Sequence, residues 1–178
     1  MRLMKTMLIM LLACLLFACP AMAEGIEIGA LTPIPFAAEE HAQTLALYCG
    51  PTQGFHRQNE QTLDTGKPFV VFGQYDCWAM AAQGTAESFG PVGWVEAGSI
   101  DTLPYEPQLS FEDGLQVTVE DTAILTNDPL NPDADAIVRI VPGTTVTLLC
   151  AYGDWAYVQA EFEDMLPVRA FIPMSAIL

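Results

Sequence analysis

An internal repeat constrains the fold of this chain more than any other feature. Residues 69–79 align without a gap with residues 146–156, an offset of 77. Upstream, residues 46–48 align with 123–125 at the same offset. Identities are few, but residue class and spacing agree along the alignment. A fixed offset of this kind indicates two copies of one supersecondary unit.

Each repeat unit predicts a series of short β-strands. An apolar strand is followed by a long polar loop, a turn at Gly66 or Gly143, and a strand rich in β-branched and aromatic residues. A further strand begins at Trp78 or Trp155, and an apolar strand ends the unit. These residue types favour strands, and Gly marks the breaks between them. Several short strands in each unit of about 60 residues predict an all-β fold of two consecutive small barrels.

The first 23 residues have the composition of a secretory signal peptide. Two basic residues precede an apolar run over 7–17, and Ala21 and Ala23 provide the small side chains of a cleavage site. The run is too short to cross a bilayer, which needs about 20 residues. We therefore expect export to the cell envelope or the extracellular medium. Cys19 follows a partial lipobox, so lipid anchoring through Cys19 is the less favoured alternative.

The charge of the chain limits its partners. Six basic residues stand against 22 acidic ones, a formal charge of −16. Loss of residues 1–23 would leave four basic residues against the same 22 acids, a formal charge of −18. A field of this sign repels polyanions, so we expect neither nucleic acid nor an anionic membrane surface as a partner. The sequence after residue 23 predicts no transmembrane span.

Three cysteines remain after residue 23, namely Cys49, Cys77 and Cys150. Exported proteins can form disulfides, and Cys49 with Cys77 is the more plausible pair because both lie in the same half of the chain. Cys150 lies in an apolar segment and is expected to be a small buried side chain. The cysteine spacing matches no zinc motif. We expect no metal and no cofactor.

An acidic loop over residues 128–135 is a second place where the residue types suit a metal ion. Asn131, Asp133 and Asp135 have the spacing that opens an EF-hand loop. Ala136 and Pro142 occupy the positions that require Gly and Glu, which excludes that motif. A solvated loop is the expected outcome, and a looser calcium site is the weaker alternative.

In the motifs Gly50-Pro51-Thr52, Gly93-Trp94-Val95 and Pro142-Gly143-Thr144, the two units resemble bacterial SH3-like (SH3b) domains. The first unit carries Gly50-Pro51-Thr52 at the start of its long loop and ends on Gly93-Trp94-Val95. The second carries Pro142-Gly143-Thr144 and ends on Ala170-Phe171-Ile172, where the family usually has Gly followed by Trp or Phe. The resemblance covers residues 42–178, and the likeness is to exported tandem SH3-like proteins.

The signal-peptide pattern and the resemblance together divide the chain into five segments. They are a signal peptide over 1–23, an N-terminal arm over 24–41, unit one over 42–101, a linker over 102–116 and unit two over 117–178. The linker carries an Asp-Gly hairpin signal, so we expect it to add a strand to unit two. The Pro-rich arm is a candidate to occupy a groove of its own chain.

The resemblance further implies a binding function. SH3-like domains commonly hold peptides or wall fragments between aromatic side chains. The ligand-groove candidates are Tyr48, Phe55, Tyr75, Trp78, Trp94, Tyr152, Trp155 and Tyr157. Packing of Trp78 and Trp155 in the core or between the units is the alternative. The expected function is a non-enzymatic binding module for cell-wall (peptidoglycan) peptides or an envelope protein partner.

Two other functions stay open. One is a purely structural or adaptor role in the envelope, without a ligand groove. The other is an accessory or degenerate cell-wall hydrolase component, in which Cys49 would pair with His41 or His56. A thiol nucleophile needs a base and an orienting group held by a larger fold. Two small barrels take up the length that such a fold requires, so we expect no enzyme.

Overall fold

The structure is a computed structural model that describes residues 28–101, 103, 108–111 and 114–177, with residues 59 and 60 described by their backbone alone. The expected signal peptide over 1–23 lies outside the described residues. Among the described residues, helical structure is limited to short 3₁₀ turns, including Ala97–Ser99 and Met174–Ala176. None of it is long and apolar enough to cross a bilayer.

The described strands form two antiparallel sheets of six strands each. The N-terminal sheet contains β1 (Ile34–Phe36), β2 (Thr44–Tyr48), β3 (Arg57–Asp64), β4 (Phe69–Tyr75), β5 (Trp78–Thr85) and β6 (Ser88–Glu96). The C-terminal sheet contains β7 (Leu115–Thr118), β8 (Ala123–Thr126), β9 (Ala136–Ile140), β10 (Thr145–Tyr152), β11 (Trp155–Phe162) and β12 (Met165–Pro173). The strand orders are β1-β4-β5-β6-β2-β3 and β7-β10-β11-β12-β8-β9.

The two sheets have equivalent strand orders, as the repeat in the sequence predicts. Strands β5 and β11 begin at Trp78 and Trp155, which keeps the offset of 77 residues. The turns before these strands also match, because Asp76 and Gly153 both have a left-handed backbone, with φ of 55° and 53°. The all-β prediction is confirmed at the level of two antiparallel sheets. The described strands do not close into barrels.

One strand of each sheet lies where the sequence predicts a long polar loop. Strand β3 has the sequence RQNEQTLD, which lacks the alternation of apolar and polar residues typical of a half-buried strand. It forms at the edge of its sheet by pairing with β2. Its equivalent β9 pairs with β8 in the same way. The loop prediction is wrong for these two segments. Strand β3 forms in spite of its polar composition because it pairs with β2, whereas β9 is itself rich in β-branched residues.

The buried side chains form three clusters among the described residues. One belongs to the N-terminal sheet and includes Leu63 and Phe69. A second is built mainly from the C-terminal sheet. The third lies between the two sheets and combines Phe72 and Trp94 with Tyr157 and other residues of unit two. We call this third region the seam. Each large apolar side chain buried there contributes about 1.5–3 kcal/mol, so each unit stabilises the other.

The arm and the linker tie the units together. The backbone N–H of Leu31 donates to the Ala151 carbonyl at 2.7 Å, while β1 pairs with β4 of unit one. The arm therefore lies against both units in extended form, held by strand pairing. In the linker, Leu109 donates to the Gln74 carbonyl at 2.6 Å. Strand β7, which begins at the linker residue Leu115, pairs with β10 of unit two; Asp113 of the expected Asp-Gly turn lies outside the described residues.

Candidate binding site

The seam buries two of the eight aromatic side chains nominated from the sequence. Trp94 is 0% exposed and Tyr157 is 2% exposed. The indole Nε1 of Trp94 donates a hydrogen bond to the hydroxyl of Tyr157 at 2.8 Å. Burial raises the pKa of the Tyr157 hydroxyl above its ordinary value. Both side chains could contact a ligand only if the units separated.

Three more nominated aromatics also pack at the seam. The guanidinium of Arg169 lies over the rings of Phe55 and Tyr75, at 5.2 and 5.7 Å from their centroids, and over the linker residue Phe111 at 4.9 Å. Such cation–π contacts favour partly desolvated Arg, and desolvation is the chief cause that lowers the pKa of Arg169. Tyr152 packs edge-on against Phe72 at 6.1 Å. Seven of the eight candidates therefore belong to the seam cluster or pack against it, and Phe55 is held beside it by Arg169.

Tyr48, Trp78 and Trp155 pack at the seam, as the alternative for the two tryptophans expects, and they also border two surface depressions. The first, of about 220 Å³, is bordered by Tyr48, Trp78 and Glu96 among others. The second, of about 390 Å³, is bordered by Trp155 and Pro173 among others. Trp155 and Pro173 are the repeat equivalents of Trp78 and Glu96. We call these surfaces the Trp78 depression and the Trp155 depression.

The Trp78 depression is bordered by an aromatic pair, in which Tyr48 is the more exposed member because Trp78 is only 7% exposed. The rings of Tyr48 and Trp78 meet edge to face, with centroids 5.5 Å apart and an interplanar angle of 83°. Tyr48 is half-buried, and the exposed Glu96 places a carboxylate at the rim. In unit two, Leu125 stands at the repeat position of Tyr48 and is fully buried. The first depression is therefore the better site for an apolar or cationic group.

A third cavity lies between the units and was not predicted from the sequence. It measures about 210 Å³ and is lined by Cys49, His56 and Gln58 of unit one. Unit two contributes Asn127 and Asp135, followed by Ala136 and Ile137. We call it the seam cavity. These residues come from separate loops and strand ends, so no local spacing in the sequence could have indicated it.

Cys49 and His56, one of the two thiol and imidazole pairs that the hydrolase alternative requires, both line this cavity. Backbone pairing brings them together, because the N–H of Cys49 donates to the carbonyl of His56 at 2.7 Å. Burial, however, raises the pKa of the Cys49 thiol to about 11. A catalytic cysteine needs a lowered pKa, since the thiolate is the nucleophile. The other histidine, His41, lies elsewhere, exposed and 3.9 Å from the Asp101 carboxylate.

The disulfide expected between Cys49 and Cys77 is not formed. All three cysteines of the described residues are free thiols. Cys49 is buried at the seam, whereas Cys77 is exposed in the turn between β4 and β5. Nearness in the sequence does not place the two thiols together because the turn carries Cys77 to the surface. Cys150 is 5% exposed, as its apolar neighbours predict.

The acidic loop is organised by hydrogen bonds from its own backbone. Asp128 Oδ1 accepts from the N–H groups of Leu130 and Asn131, at 3.1 and 2.9 Å. Within the described residues, no three His, Cys, Asp or Glu side chains come together as metal ligands.

No family model, curated protein or solved structure matches this chain. Inference about function therefore depends on the three surfaces described above.

Proposed function

We propose that this protein is a non-enzymatic binding module of the SH3-like class that is exported and binds cell-wall peptides or a protein partner at the cell envelope. The observation that carries the proposal is the Trp78 depression. It offers an edge-to-face aromatic pair, Tyr48 and Trp78, beside the exposed carboxylate of Glu96. A second depression lies beside Trp155 on unit two, with Pro173 at the repeat position of Glu96.

The chemistry of the depression favours peptides as ligands. An aromatic surface with a few polar groups at its edge is the usual composition of a small-ligand site. The Glu96 carboxylate favours a ligand group that is cationic or donates hydrogen bonds. Wall peptides carry amide N–H groups and free amines, whereas anionic wall polymers would meet the repulsion of a chain with a formal charge of −16.

The SH3-like assignment is part of the proposal. It is supported by the Gly-Trp-Val motif that ends unit one, by the duplicated strand order, and by the shortness of the strands. In this proposal each six-stranded sheet is a variant of the small SH3-like barrel. Export is supported by the basic, apolar and small-residue pattern of residues 1–23. Absence of catalysis is supported by the raised pKa of the Cys49 thiol.

Co-sedimentation with purified peptidoglycan tests the proposal. We expect the unaltered protein to be retained and Tyr48→Ala to weaken retention at least about fivefold, because truncating an aromatic contact residue commonly costs more than about 1 kcal/mol. Leu130→Ala is the control, since Leu130 is an apolar side chain 46% exposed on unit two. Circular dichroism establishes that both variants are folded. Retention of a folded Tyr48→Ala equal to that of the unaltered protein would refute the proposed site.

A structural or adaptor role is the second candidate. It is favoured by the burial of most nominated aromatics at the seam, which leaves less aromatic surface for a ligand than the sequence suggests. In that case the unaltered protein would not sediment with peptidoglycan at all.

A further inference from the structure

We propose that the seam cavity is a second binding site, separate from the Trp78 depression, and that it holds a primary ammonium group. The cavity of about 210 Å³ has room for several water molecules or a small organic cation, since one water takes about 30 Å³ in the liquid. It is lined by polar side chains from both units. Two of them present buried oxygen atoms that lack a hydrogen-bond donor.

The first oxygen belongs to Gln58, which is 4% exposed. Its amide Nε2 donates to the carbonyl of Val92 at 2.8 Å and approaches the carbonyl of Tyr48 at 3.5 Å. In the opposite orientation of the amide, Oε1 would face these two carbonyl oxygens and could not donate to them. The nitrogen position is therefore fixed. Gly93 makes room for this amide, because a Cβ there would lie 2.7 Å from Nε2. Oε1 is left buried and without a partner among the described residues.

The second oxygen is Oδ2 of Asp135, which is also buried and without a partner among the described residues. The polar side chains of Asn127 and Gln61 favour the charged form of the carboxyl group, but desolvation outweighs them and raises its pKa, with the nearby charge of Asp128 as a further cause. A buried acceptor without a donor costs about 1–3 kcal/mol. The site therefore holds a carboxylate that lacks one of its donors.

The lining decides the chemical class of the ligand. The described residues of the lining include no Lys or Arg, and burial keeps the Cys49 thiol protonated. Two unpartnered acceptors, one of them a carboxylate, require N–H or O–H donors, and positive charge is favoured. A primary ammonium supplies three donors and the charge, while Ala136 and Ile137 offer apolar surface for an alkyl group. An anion or a purely apolar group would satisfy neither oxygen.

Nuclear magnetic resonance with two cations of similar size tests the inference on the unaltered protein. Propylammonium has three N–H donors and tetramethylammonium has none. We expect propylammonium to give saturable shifts at the Gln58 side-chain amide and at Asn127, and tetramethylammonium at equal ionic strength to give none. Equal shifts with both cations, or no shift with either, would leave a water-filled cavity only and overturn the proposal.

A pair of variants gives the matched comparison. Asp135→Asn removes the charge and one acceptor oxygen, and should weaken propylammonium binding at least about tenfold. Asp133→Asn makes the same chemical change at an exposed position of the same loop and should leave binding unaltered. Equal affinities in the two variants would contradict the assignment. Because the two cations are compared on the unaltered protein, misfolding of Asp135→Asn leaves the test intact. Wall binding lost in Tyr48→Ala, with propylammonium binding retained, separates this site from the proposed function.

Discussion

At the scale of single residues, the seam depends on polar atoms that are buried in pairs. Trp94 and Tyr157 are large amphipathic side chains whose polar tips must find partners once they leave water. They satisfy each other across the units at 2.8 Å. The resemblance to SH3-like domains implies that these residues contact a ligand, but large aromatic side chains serve equally well in a buried core. The sequence of one unit does not show which of its surfaces the other unit covers.

Replacement of Tyr157 by Phe tests this pairing. Tyr157→Phe keeps the ring but leaves the buried indole N–H of Trp94 without an acceptor, which should lower the free energy of unfolding by about 1–3 kcal/mol. Urea unfolding measures the change. The control is Tyr152→Phe, at a half-buried tyrosine of the same seam, which should change stability by less than about 0.5 kcal/mol. Equal losses in the two variants would argue that the Trp94–Tyr157 bond contributes nothing.

The two buried thiols predict how stability depends on pH. Burial raises the pKa of Cys49 from 9.0 to about 11 and that of Cys150 from 9.0 to about 12. In the unfolded chain both thiols ionise at their ordinary pKa, while in the folded protein they keep their protons to higher pH. Their contribution is therefore complete below about pH 9 and is lost as pH rises toward 11 and 12.

Urea unfolding at stepped pH between about 8 and 11 measures that dependence. The free energy of unfolding should fall by about 1 kcal/mol per pH unit for each buried thiol above pH 9. Cys150→Ala should show a shallower fall, and Cys77→Ala, which removes an exposed thiol, should match the unaltered protein. A slope identical in all three proteins would show that the buried thiols play no part.

At the scale of elements, the repeat is clearest in one turn, which joins β4 to β5 in unit one and β10 to β11 in unit two. Unit two uses Gly153 and unit one uses Asp76 in the same left-handed backbone. Gly adopts that conformation without strain, whereas other residues pay about 1–2 kcal/mol and Asp is among the better tolerated. The turn therefore depends on backbone conformation and not on side-chain contacts.

Gly153→Ala isolates the conformational effect. A Cβ at Gly153 meets no atom within 4 Å, so the expected loss of about 1–2 kcal/mol in unfolding free energy comes from the left-handed φ alone. Gly98→Ala is the matched control, because Gly98 is equally open and lies outside the left-handed region. Thermal or urea unfolding compares them. A Gly153→Ala protein as stable as Gly98→Ala would remove the strain argument.

The strands themselves were predictable to different degrees. Strands β5 and β11 are marked by Trp78 and Trp155 after a polar turn, a pattern that the repeat makes visible twice. Strand β9 is rich in β-branched residues, so its sequence AIVRI carried a signal that the loop interpretation overlooked. Strand β3 carried no such signal, because an edge strand with polar side chains is recognised by its partner and not by its own pattern.

At the scale of the whole molecule, the two units exchange backbone hydrogen bonds. Val92 donates to the Asn127 carbonyl at 2.8 Å, and its repeat equivalent Arg169 donates to the Cys49 carbonyl at 2.6 Å. Units of about 60 residues bury too little surface to be strongly stable alone. Sequence reasoning could predict that two such units would pack together. It could not predict which faces meet, because that depends on how strand ends from distant segments align.

The candidate sites also differ in how far the sequence could predict them. Tyr48, Trp78 and Trp155 were accessible to sequence reasoning because each carries a local aromatic signal within the repeat. The seam cavity could not be predicted from the sequence, because Gln58 and Asp135 belong to different units and line one cavity only in the folded protein.

The central claim is that the Trp78 depression binds wall peptides. Chemical-shift mapping with soluble peptide fragments released from peptidoglycan tests it most directly. We expect the largest saturable shifts on the Trp78 indole, on Tyr48 and on Glu96, with smaller shifts beside Trp155. An absence of saturable shifts, or shifts confined to surfaces away from both depressions, would contradict it.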